Sequence, residues 1–86
     1  MKYKVIDKKY GGCSTDSITY ARHHAGVIAK KNSRNPKCPV YENGKIIGHV
    51  VYNEVSEKLY WHHPQKKGAA IYTMNADGKL KSKLKW

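Results

Sequence analysis

The stretch VYENGKIIGHVVY, residues 40–52, sets the architecture of this chain. Asn43-Gly44 stands between two hydrophobic segments, and both residue types accept the positive φ that a tight two-residue β-turn demands. The stretch therefore reads as a β-hairpin. In its second arm Ile46, Val50 and Tyr52 share one face by period two, while Ile47, His49 and Val51 share the other. Gly48 falls on the first face and marks a bulge or a close approach by another group.

Strand signals continue toward the C-terminus. Residues 54–57 turn the chain, Leu59 to His62 begin a further strand that Pro64 ends, and residues 69–74 form the next. Asn75 to Gly78 supply a turn, and residues 79–86 alternate strictly. That period places Lys79, Lys81, Lys83 and Lys85 on one face and Leu80, Ser82, Leu84 and Trp86 on the other.

Toward the N-terminus, Pro36 and Pro39 stop a helix that spans residues 17–31. Ile18, Ala21, Ala25, Ile28 and Ala29 recur at helical spacing and define its buried stripe. Tyr20, Arg22, His23, His24, Lys30 and Lys31 are expected on its sides and exposed end. Ser14, Thr15 or Asp16 can cap it after a turn at Gly11-Gly12. Residues 2–9 form a first strand, with Tyr3 and Val5 facing away from Lys2 and Lys4. The order β-α-β-β-β-β-β predicts a small two-layer α+β domain, with one helix across a five- or six-stranded, mainly antiparallel sheet.

Eighty-six residues make one domain, too small for a second lobe around a deep cofactor site, and no cofactor is expected. The formal charge of +11 attracts polyanions, so the partner is expected to be nucleic acid, DNA or RNA, or else an acidic protein. Residues 1–37 carry +7, residues 38–65 carry −1 and residues 66–86 carry +5. One continuous positive surface thus requires the two ends to meet. No apolar run approaches the roughly 20 residues of a membrane span, no signal peptide is evident, and the expected compartment is the cytoplasm with Cys13 and Cys38 reduced.

The C-terminal lysines on a strand would stand about 7 Å apart, near the spacing of successive phosphates. Lys66 and Lys67 would extend that patch, and Lys2, Lys4 and Lys8 would add to it if the first strand lies nearby. Arg22, Lys30, Lys31, Arg34 and Lys37 make the helix region basic as well. Free amides at the helix start could receive a phosphate there, although an ordinary capped helix explains the same residues. Edge lysines also prevent strands from pairing between molecules, which is the competing explanation. Alternation buries one of Tyr60 and Trp61 and exposes the other, and an exposed ring beside a basic patch can stack a base. Lys2, Lys4, Arg22, Tyr60, Trp61, Lys66, Lys67, Lys79, Lys81, Lys83 and Lys85 form the expected nucleic-acid-binding set, in a non-catalytic, phosphate-backbone-binding protein.

Two other functions fit the composition: an accessory protein of phage or mobile-element type that inhibits a protein partner, and a small histidine-dependent ribonuclease. The latter would draw on His49, His62 and His63, with lysine to stabilise extra negative charge. Cys13 before a helix start could have a lowered thiol pKa. Cys13, His23, Cys38 and His62 are too dispersed to read as a metal site.

Overall fold

The computed structural model describes residues 2–7, 9–32, 36–63 and 71–83. Its elements are β1 (Tyr3–Val5), β2 (Cys13–Thr15), α1 (Ile18–Lys31), β3 (Lys37–Glu42), β4 (Lys45–Asn53), β5 (Lys58–His62), β6 (Ile71–Met74) and β7 (Leu80–Lys83). The seven strands form one antiparallel sheet in the order β2-β1-β3-β4-β5-β6-β7. It curves as a half-barrel with α1 on one face, an α+β domain.

The sheet has one strand more than the sequence predicts. Gly12 lies so close to the Val5 carbonyl that a Cβ would collide with it, and this approach lets the chain fold back and pair Cys13 with Val5. The polar residues after it consequently have other duties. Asp16 accepts a hydrogen bond from the Lys2 amide at 3.1 Å and Thr15 accepts one from the Ser17 amide at 3.1 Å. Ser17 is the helix cap, its hydroxyl accepting from the Tyr20 amide at 3.2 Å.

The β3–β4 hairpin turns as expected, with Asn43 at φ 51° and Gly44 at φ 84°. Its ladder then shifts: Val40 opposes Gly48 while Tyr41 opposes Ile46, leaving Ile47 as the extra residue of a bulge. Strict alternation is therefore broken. Ile46 is exposed and Ile47 packs against the core, the reverse of the period-two expectation. Gly48 also proves a point of close approach, because a Cβ there would strike the Trp61 indole.

The covered face holds Val5, Cys38, Val40, Val50, Leu59 and Trp61 against Ala21, Ala25, Ile28 and Ala29 of the helix. Gly26 brings α1 close to the sheet: a Cβ there would lie 3.3 Å from Leu59 and 3.4 Å from Met74. Each buried Val, Leu or Ile side chain contributes about 1.5–3 kcal/mol, so α1 is committed to this face. Ladder partners whose side chains point the other way have no helix over them among the described residues.

Strand order keeps the first and last strands apart, so among the described residues the two basic segments approach each other where Lys30 of α1 and Lys81 of β7 line one cavity, not through β1. β1 and β7 are five strand positions apart, about 24 Å along the sheet at the usual spacing.

Candidate functional site

The cross-strand register assembles the uncovered face in three rows. Lys4 opposes Tyr41 in the first. Pro39, His49, His62 and Ile71 follow one another across β3 to β6 in the second. Lys37, Val51, Tyr60 and Thr73 form the third, with Asn53 and Lys58 one pair beyond. Tyr41, His49, Tyr60 and His62 are half-buried, whereas Lys4, Lys37 and Lys58 are exposed.

No carboxylate occupies a position in these rows. Four of the six acidic residues are engaged elsewhere: Asp7, Asp16 and Asp77 accept backbone amides, and Glu42 pairs with Lys2 at 3.3 Å. Glu54 and Glu57 lie in the β4–β5 turn. Lys4 and Lys37 are thus about 13 Å apart along the strands, and Lys58 stands two strands, about 10 Å, across from Lys37. Three cations frame two tyrosines and two histidines.

His49 and His62 are direct ladder partners, which brings their Cβ atoms to about 5 Å. Burial, reinforced by the charge of Lys37 and the neighbouring His62, holds His49 below the usual imidazole value. Burial and Lys37 do the same to His62. Both rings are accordingly neutral at pH 7 and protonate together only with difficulty. His63 is on the covered face, its Nε2 accepting from the Trp61 indole N–H at 3.2 Å. The three histidines therefore do not form one cluster.

The residues expected to bind nucleic acid are divided among several places. Lys2 and Lys4 line a cavity of about 460 Å³ with Ile6 and Tyr41 at the β1–β3 end. Tyr60 is on the uncovered face, while Trp61 is buried in the core at 1 % exposure. Arg22, expected on a helix flank, is also buried, at 8 % exposure, and its guanidinium lies 5.4 Å from the Trp61 ring centre. Lys81 meets Lys30 and Lys58 around a cavity of about 420 Å³ that also includes Tyr52 and Asn75. Lys79 is exposed beside the β6–β7 turn, where its amide donates to Asp77.

In the β7 ladder Leu80 opposes Met74 and Lys83 opposes Tyr72, a register shift within four residues. Lys8, Arg34, Lys66, Lys67 and Lys85 lie outside the described residues.

The expected binding set leaves out Lys37, which the sequence groups with the basic helix region, and Lys58, which lies in the middle segment whose charge sums to nearly zero. The usable signal was their parity: Lys37 matches Pro39 and Tyr41, and Lys58 matches Tyr60 and His62. Cys13 is in β2 rather than at a helix start, and burial pushes its thiol up against the opposing effect of a backbone hydrogen bond at Val5. Burial likewise pushes Cys38 up to about 11, so neither thiol is activated. No group of three or more His, Cys, Asp or Glu converges among the described residues. No family model matches the chain, and neither a curated protein nor a solved structure matches it.

Proposed function

We propose that the chain binds single-stranded nucleic acid across the uncovered sheet face, without catalysis. The observation that carries this reading is the placement of Lys4, Lys37 and Lys58 around Tyr41, His49, Tyr60 and His62, with no carboxylate in the same rows. Lysines reach phosphates, and half-buried rings offer platforms to bases that are not already stacked in a duplex. Edge protection accounts poorly for Lys37 and Lys58, since β3 and β5 are interior strands.

The test is fluorescence anisotropy with single- and double-stranded DNA and RNA oligonucleotides, beside a polyglutamate control. Preference for a single strand, lost in a Lys4→Gln, Lys37→Gln, Lys58→Gln triple variant, supports the reading. Equal binding to polyglutamate transfers the face to an acidic protein partner.

The His49–His62 pair beside Lys37 favours a second reading, histidine-dependent cleavage of RNA. One imidazole would take the 2′-hydroxyl proton as that oxygen attacks the adjacent phosphorus. The other, protonated, would give its proton to the departing 5′ oxygen, leaving a 2′,3′-cyclic phosphate. Cleavage of RNA but not DNA, abolished in both His49→Gln and His62→Gln, would establish it over simple binding.

A further inference from the structure

Arg22 occupies a position at odds with its charge. It is 8 % exposed, its Nε–H donates to the Gly78 carbonyl at 2.7 Å, and no carboxylate lies within 4 Å among the described residues. A guanidinium taken from water without an anionic partner is costly. Burial indeed lowers its proton affinity, and the only opposing influence is a weaker one from Tyr3. Nε is satisfied, but no protein acceptor takes the terminal Nη groups among the described residues.

Arg22 lines a cavity of about 480 Å³ whose other walls are Ile18, Glu42, Ile46, Ile47, Trp61 and His63. The cavity is apolar apart from its charged and imidazole members. Glu42 is already paired with Lys2 at 3.3 Å, and the indole N–H donated to His63 Nε2 leaves the neutral imidazole with its proton on Nδ1. Arg22 is thus the one cation in the lining, facing a carboxylate whose own partner stands outside it.

We propose that this cavity binds a carboxylate carrying a short apolar chain, with the carboxylate on the Nη groups of Arg22 and the chain against Ile18, Ile46 and Ile47. A planar carboxylate matches the guanidinium fork. A phosphate dianion fits less well, because Glu42 repels it more strongly than it repels a singly charged carboxylate and no second cation lines the cavity. Apart from Ile46, which opposes Tyr41 at the hairpin end, the lining shares no residue with the uncovered sheet face.

The probes are acetate, butanoate, hexanoate and inorganic phosphate, titrated against the whole chain. Arg22 and Arg34 are the only arginines, so a Lys replacement of Arg34 leaves a single arginine Nε–Hε resonance to follow by NMR. The expected result is a saturable shift of that resonance whose affinity rises roughly fourfold per added methylene, with phosphate the weakest probe. Ile46→Asp, at an exposed rim position, should retain the native spectrum and lose the hexanoate response. The proposal is overturned if the shift is absent or non-saturable, if chain length has no effect, if phosphate equals hexanoate, or if folded Ile46→Asp responds like the parent.

Discussion

Replacing Lys37 by Gln gives the sharpest view of how the uncovered face works. Lys37 is exposed, opposes Val51 in an interior strand, and bears electrostatically on both His49 and His62. Its loss should leave folding within about 0.5 kcal/mol, as for most exposed positions. If Lys4, Lys37 and Lys58 each neutralise one phosphate of a single strand, log K should fall with log salt at a slope near −2.1, and near −1.4 in the variant, taking about −0.7 per contact. Raising salt from about 50 to 200 mM would then weaken the parent about 18-fold and the variant about 7-fold. Anisotropy titrations at three salt concentrations measure the slope directly. Lys45→Gln is the control, because it removes the same charge at the hairpin end, where Lys45 opposes Glu42. Equal slopes for the two variants would show that binding reads net charge and not this face, and would refute the reasoning.

Other outcomes follow from the same geometry. His49 and His62 have folded pKa values below the unfolded one, so their contribution to stability is present above about pH 6.5 and is lost as pH falls through the folded values. Thermal melts between pH 7.5 and 5 should show that loss, and a His49→Gln, His62→Gln double variant should flatten it. Oligonucleotide affinity should move oppositely, strengthening as pH falls, because phosphate favours the imidazolium; an unchanged affinity in the parent would remove the histidines from the interface. Gly48→Ala should cost about 1–3 kcal/mol by overpacking, since its Cβ meets the Trp61 ring, and chemical denaturation measures it. Ser17→Ala should cost about 1 kcal/mol through the lost cap, measured the same way, with little effect on binding.

What could be read from the sequence was local. Asn43-Gly44 announces its turn through its own backbone preferences, and the alanines and isoleucines of α1 mark a helical stripe without reference to the rest of the chain. What escaped depends on contacts between distant segments. Nothing local in GGCSTDS distinguishes a cap from a strand, because the decisive contact is Gly12 against the Val5 carbonyl. Arg22 follows Ile18 by four residues and precedes Ala25 by three, so its place in the stripe was visible, but its charge argued for solvent. The register shift at Val40/Tyr41 reassigns side-chain faces in β4, and alternation alone cannot locate such a shift.

The strand order separates two explanations for lysine that composition had merged. A lysine on β7 stands at a sheet edge, where its charge discourages pairing with another molecule whatever else it does. Lys37 and Lys58 gain nothing from that role, because β3 and β5 have a neighbour on each side. A cost accompanies Lys37 as well: its charge contributes to holding two nearby imidazoles neutral. A bound phosphate would reverse that effect, since its negative charge screens Lys37 from His49 and His62 and favours their protonation. Proton uptake on binding would accordingly require the histidines and be enlarged by the presence of Lys37, linking the salt dependence and the pH dependence to one patch of the sheet.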